Sequence, residues 1–153
     1  MAAHLTYYIF EGELTGTANN RMWNVTALSG GGGGSTRNPT DGNTNNPYAQ
    51  GVKTEDGKNG HRHGGPIPAG RYRIAAPSRH PHLGLSARLD PYDADQTRIM
   101  MGRDGFYIHG RGRHGSDGCI VPMEQFQELM AALTRERGGT LFVEEAMGGA
   151  RFV

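Results

Sequence analysis

Apolar and polar positions alternate most clearly from Arg21 to Leu28. There Trp23, Val25 and Ala27 fall on one face and Met22, Asn24 and Thr26 on the other. A period of two marks a half-buried strand, and the single tryptophan, Trp23, reads as its core anchor. Leu5 to Phe10 is aromatic and β-branched enough to be another strand. Between them Gly12, Gly16 and the Asn19-Asn20 pair make 11–20 a turn region, so the two strands read as a hairpin. Further on, Gly65 to Ile74 (GPIPAGRYRI) is a stiff proline-glycine turn feeding a strand from Arg71. Leu85 to Leu89 and Thr97 to Met101 are strand candidates on either side of an acidic turn, and Arg79 to Leu83 reads as loop. Gly105 to His109 is a short apolar strand that ends on His109.

The period then changes. Phe126, Leu129, Met130 and Leu133 follow the i, i+3, i+4, i+7 spacing of an amphipathic helix. Pro122 suits its first turn, Gly138-Gly139 stops it, and Thr140 to Glu144 is a last strand. One segment has neither period. Residues 29–65 hold five consecutive glycines at 30–34, then NPTDGNTNNP and EDGKNGHRHGG. Such a stretch buries little apolar surface, so it is expected to be loop, partly disordered, with the glycine run a flexible rim. Loops of this length inside a compact domain often serve a site. A phosphate-binding loop does not fit, because no Gly-Lys-Ser/Thr follows. His61 and His63 stand on alternate positions with no third ligand near them in sequence, so no metal is expected.

Composition narrows this to one mainly β domain over all 153 residues, rich in turns, with 25 glycines and 35% hydrophobic residues. A net charge of +1 gives no field for nucleic acid, and no apolar run approaches the roughly 20 residues of a membrane-spanning helix. The opening MAAHLTYYIFEGEL does not read as a signal peptide. A lone cysteine excludes an intramolecular disulfide.

That cysteine, Cys119, is the chemical focus. It lies in YIHGRGRHGSDGCIVP, ten residues after His109. A thiol attacks as thiolate, and a histidine in reach can take its proton near neutral pH. Gly110, Gly112, Gly115 and Gly118 let the backbone bend and let a substrate approach. If the helix begins near Pro122, its positive end would favour the thiolate too. The rival reading is a buried inert thiol in a cell-wall-binding module or a structural piece of a secretion or phage machine. Papain-like chemistry is excluded, since no histidine follows Cys119.

The order of histidine, glycine-rich gap and Ser-Asp-Gly-Cys-Ile, with GPIPAGRY upstream, resembles the L,D-transpeptidase (YkuD-like) catalytic domain. The ten-residue spacing, the ALSG segment and the GPIP turn point to the branch of such enzymes delivered as toxins by type VI secretion systems. The resemblance implies a β-sandwich or barrel-like fold with one helix after the cysteine and no cofactor. It implies Cys119 as nucleophile and His109 as general base, acting on peptidoglycan stem peptides at the bond between the third residue, a diamino acid, and D-alanine. Gly118, Ser116 and Asp117 would form the oxyanion site and its loop, with N–H groups at Gly118 and Cys119 as donors. Asp117 stands where many relatives have a second histidine, and either it or a backbone carbonyl would orient His109. Ile120, Val121 and Pro122 stand where many relatives have an arginine or asparagine. Gly110, Arg111, Arg113 and His114 are the substrate-binding candidates. A toxin of this kind would be made in the bacterial cytoplasm, act in the periplasm of a target cell, use a secretion-system component and be blocked by an immunity protein.

Overall fold

A computed structural model describes residues 2–37, 40–57, 60–113, 115–149 and 151. In chain order the strands are β1 (Ala3–Tyr8), β2 (Glu13–Ala18), β3 (Arg21–Ser29), β4 (Glu55–Gly57), β5 (Gly60–Arg62), β6 (Gly70–Ile74), β7 (Ser78–His80), β8 (Gly84–Pro91), β9 (Phe106–His109), β10 (Ile120–Pro122) and β11 (Gly139–Glu144). The helices are α1 (Ala94–Arg98) and α2 (Phe126–Glu136), with a 3-10 turn at Pro47–Ala49 and another at Met147–Gly149.

Nine strands form one sheet in the order β6-β11-β1-β2-β3-β10-β9-β8-β7, and a further β6–β8 pairing closes it on itself. The result is a mainly β, barrel-like sheet with one main helix. Closure removes most of the exposed strand edges that would otherwise invite association. The core is a single cluster in which Leu5, Tyr7, Leu14, Trp23, Val25, Tyr72, Ile108, Ile120 and Leu141 meet Leu129, Met130 and Leu133 of α2. The alternation read from Arg21 to Leu28 holds in space: Trp23, Val25 and Ala27 are buried, and Met22 is 82% exposed.

Several expectations are corrected. The turn region 11–20 contains β2, so the amino-terminal unit is a three-strand meander. Thr97 to Met101 is no strand: Asp93 accepts from the Gln96 N–H and caps the single helical turn α1. Arg79 to Leu83 is entered by β7. Pro122 ends β10, paired across to Ala27, and does not open a helix. α2 starts four residues later, after Gln125 in a left-handed conformation. Its positive end therefore does not lie at Cys119. Gly138 lies just past the left-handed Arg137 that caps the helix, while Gly139 already belongs to β11.

The largest departure is 29–65. Among its described residues Gly30 to Gly34 are buried, and the run is pinned by backbone bonds from Gly31 N–H to Gly64 O (2.8 Å) and from Gly32 N–H to Ser116 O (3.0 Å). The glycines are a packed element beneath the cysteine loop rather than a flexible rim. Absence of side chains is what lets them pack: a Cβ at Gly34 would run into Val121. β4 and β5 pair as a small separate hairpin.

Candidate active site

β9 and β10 lie side by side and parallel, with Ile108 opposite Ile120. Both isoleucines are fully buried. Because side chains alternate along strands, Tyr107, His109 and Val121 project to the other face, and Cys119 immediately precedes β10. Continuing the register one residue back sets Cys119 level with Tyr107, and His109 two positions on. With strands about 4.8 Å apart and a rise of about 3.3 Å per residue, the two Cα atoms are separated by about 8 Å; His109 Nε2 makes no hydrogen bond to Cys119 Sγ, whose contact is the Gly105 carbonyl.

His109 is 5% exposed, and its Nδ1 bonds the Gly110 carbonyl at 2.8 Å. A carbonyl only accepts, so the proton sits on Nδ1 and Nε2 keeps a lone pair. Nε2 is buried with no hydrogen-bond partner. Burial pulls the imidazole below its ordinary pKa, helped by nearby His80 and opposed by the Gly110 bond. The ring is thus neutral at pH 7, with one basic nitrogen unspent. The orienting group is the backbone carbonyl; Asp117 turns elsewhere.

Cys119 is partly exposed, with Sγ 4.0 Å from the Gly105 carbonyl. Burial of the sulfur pushes its pKa up to about 12, partly offset by the N–H groups of Tyr107 and Cys119 and by Arg103, while Asp117 adds to it. At rest Cys119 is a thiol and His109 a neutral imidazole, with no hydrogen bond between them. Cys119 lines a cleft of about 230 Å³ with Lys53, Thr54, Arg103, Phe106 and Asp117.

Two serine side chains and one glycine build the loop around the thiol. Ser116, 1% exposed, donates to the Cys119 carbonyl (2.6 Å) and accepts from the Gly30 and Gly118 N–H groups at 3.1 and 3.3 Å. Its hydroxyl is fully committed to the loop. The Gly118 N–H therefore points inward, and of the two expected oxyanion donors only the Cys119 N–H faces the sulfur. Gly118 has φ +134°, and a Cβ there would collide with the Phe106 ring, so no other residue fits. Ser29 donates to the Gly118 carbonyl (2.7 Å) and accepts from the Ile67 N–H (3.0 Å), joining the end of β3 to the GPIP turn.

Arg103 is the residue that the sequence reading missed. It is 8% exposed and donates to the carbonyls of Gln50 (2.6 Å), Pro66 (2.7 Å), Gly65 (2.8 Å) and Asp117 (2.7 Å). Burial lowers its pKa, yet a guanidinium stays charged in proteins. One cation thus staples the polar segment, the GPIP turn and the cysteine loop together. A lone arginine in MGRDG carries no signal for this; only the buried carbonyls of GPIP, which need donors, hinted that one was required.

The Asp117 carboxylate bonds His63 Nδ1 at 2.7 Å and lies 3.5 Å from His61 Nε2. Partial burial opposes its ionisation, but bonds from His63 and Thr54 and the two imidazoles hold its pKa below the usual value. Arg111 and Arg113 are exposed. Gly110 and Arg111 line a second cleft of about 610 Å³ with Arg79, Pro122 and Phe126. His114 lies outside the described residues.

The chain matches no protein-family model and no curated protein. Its fold is nevertheless found among solved structures. Two crystal structures of the helical cell shape determining protein Pgp2 from Campylobacter jejuni, one of them a point mutant, share it with a TM-score of 0.54 at 11% and 13% identity. They cover 95% of this chain and 48% and 47% of theirs. An L,D-transpeptidase from Xylanimonas cellulosilytica is similar at a TM-score of 0.49 and 14% identity, over 93% of this chain and 60% of that one. The chain spans about half the length of the Pgp2 chains, and identities this low speak for the fold alone.

Proposed function

We propose that this chain is a cysteine enzyme of peptidoglycan, an L,D-carboxypeptidase or D-amino-acid-exchanging L,D-transpeptidase. The observation that supports the proposal is the unspent, buried Nε2 of His109, at the end of the strand that pairs with β10, which the only thiol immediately precedes. His109 Nε2 takes the Cys119 proton as sulfur attacks the carbonyl of the third stem residue. Proton transfer and attack go together, because burial disfavours a free-standing thiolate. The Cys119 N–H holds the oxyanion. Collapse breaks the C–N bond, His109 returns the proton to the leaving amine of D-alanine, and a thioester remains. Water or the amine of a D-amino acid then displaces the sulfur. The cleft lined by Lys53, Arg103 and Phe106 takes one side of the stem peptide, and Arg111 with its neighbours takes the other.

The resemblance of the SDGCI and GPIP segments to type VI toxins supports a role as an antibacterial effector. It would act in the periplasm of a target cell and be neutralised by an immunity protein in its producer. The decisive experiment is mass spectrometry of muropeptides incubated with the protein. Wild type should release D-alanine from tetrapeptides, or exchange it for added D-amino acids, and Cys119→Ala and His109→Asn should not. Muropeptides unchanged by the wild type would overturn the reading in favour of a non-catalytic wall-binding module.

A further inference from the structure

His61 and His63 find in space the third ligand that is missing around them in sequence. Their donor nitrogens and the Asp117 carboxylate all lie within 4.8 Å of one another. His63 Nδ1 is 2.7 Å and His61 Nε2 3.5 Å from the same atom, Asp117 Oδ1. The two rings stand nearly edge to face, with centroids 4.4 Å apart. Donors sharing one tetrahedral zinc ion, at bonds of about 2.0–2.1 Å, are separated by about 3.4 Å. The two imidazole-to-carboxylate spacings straddle that value.

A second observation distinguishes this cluster from a hydrogen-bonded pair. Asp56 and His61 are cross-strand partners on β4 and β5, and Asp56 Oδ1 lies 2.5 Å from His61 Nδ1. That contact holds the His61 proton on Nδ1 and turns the Nε2 lone pair toward Asp117. A carboxylate behind an imidazole is the arrangement that orients metal-bound histidines and raises their basicity. The backbone adds a further restraint, with the Gly64 N–H 3.4 Å from Asp117 Oδ1. Asp117 also lines the cleft of Cys119, so a fourth coordination position would open toward that cleft.

We propose that His61, His63 and Asp117 bind one divalent cation of the zinc class, with Asp56 as the orienting carboxylate. The cation takes the place of a proton between His63 Nδ1 and Asp117 Oδ1, and the bound, neutral imidazole of His63 carries its single proton on Nε2. Two imidazoles and one carboxylate suit a borderline ion such as Zn²⁺ better than Mg²⁺ or Ca²⁺, which prefer all-oxygen sites.

The test is equilibrium dialysis of the full chain against Zn²⁺ alone, followed by metal analysis. Wild type and Cys119→Ala should each hold one ion, which separates this site from the thiol. His61→Ala, at an exposed ring, should weaken binding at least tenfold without unfolding the protein. His63→Ala and Asp117→Asn should do the same, and Asp56→Asn should cost about 10–100-fold. Circular dichroism checks each fold, and the His80→Ala/His82→Ala pair should bind like wild type. The proposal is overturned by less than one ion per chain in wild type, by binding unchanged in His61→Ala, or by binding that disappears in Cys119→Ala. None of these readouts depends on enzymatic activity.

Discussion

Two halves of this molecule are held together by different physics. From β6 through β11, β1 and β2 to β3, strands pair in long regular ladders over a dry apolar core. Around Cys119 the material is polar and glycine-rich, and its cohesion comes from side chains bonded to backbone. Arg103 spans four carbonyls, Ser116 satisfies three backbone groups, and Ser29 satisfies two. Asn45 adds bonds to Ser29 N–H and Ala27 O. Hydrophobic burial tolerates exchange of one apolar residue for another, whereas a buried polar staple has few substitutes, because every partner left behind is unsatisfied. The loop that carries Cys119 is thus built on the less forgiving half.

The largest effect should come from Arg103→Met. Two buried carbonyls (Gly65, Pro66) and two partly buried ones (Gln50, Asp117) lose their donor, at about 1–3 kcal/mol for each buried group left unsatisfied, although relaxation and water prevent full addition. A loss of roughly 4 kcal/mol or more is expected by chemical denaturation. Amide exchange should accelerate across 29–65 and 115–119 while β1, β2 and β11 stay protected. Unchanged protection of 29–65 would refute the division drawn here. The contrasting variant is Leu141→Ala, a fully buried core residue between Leu5 and Tyr72. It should cost about 2–5 kcal/mol, with turnover per folded molecule nearly unchanged.

The same division explains what could be read in advance. The strands around Trp23, Tyr72 and Leu141 and the helix around Leu129 and Leu133 announce themselves by period, because burial of a repeating face sets both sequence and structure. β2 was hidden because Gly16, which looked like a turn residue, sits inside a strand where the backbone of His4 and Leu5 leaves no room for a Cβ. The glycine run and Arg103 were hidden for a common reason: a side chain that serves backbone carbonyls has partners of no particular residue type. His109 and Cys119 stood out in the sequence as candidates; the bond to the Gly110 carbonyl and the inward turn of the Gly118 N–H did not, since both are backbone features. Asp117 stood out as an unusual residue; its partners His61 and His63 lie more than fifty positions away.

A smaller effect on the polar half should follow from Ser116→Ala. The Gly30 and Gly118 N–H groups and the Cys119 carbonyl lose a buried partner at once, for an expected 1–3 kcal/mol, on the order of one unsatisfied group after relaxation. Ser116→Cys keeps the volume but makes a weaker donor and should fall between. If Ser116→Ala unfolded as wild type does in urea, the hydroxyl would not be a staple.

The subtlest prediction concerns acid. His109 is buried and neutral, so its folded pKa lies below the ordinary 6.5. The unfolded chain binds this proton more readily than the folded one, so stability rises with pH where the two differ. The contribution is complete above 6.5 and declines as pH falls below it, through the window down to the folded pKa. His109→Asn removes the group, and the difference in unfolding free energy between wild type and variant should shift against wild type below pH 6.5 and be flat above it. Turnover should show the matching limb: kcat/KM falls tenfold per pH unit on the acid side, with its midpoint below 6.5, because the free Nε2 must be unprotonated to accept the Cys119 proton. A midpoint above 6.5 would mean that a negative partner outweighs burial at this ring, and the separation between a dry imidazole on the sheet and the charged cluster of Asp117, His61 and His63 would have to be abandoned.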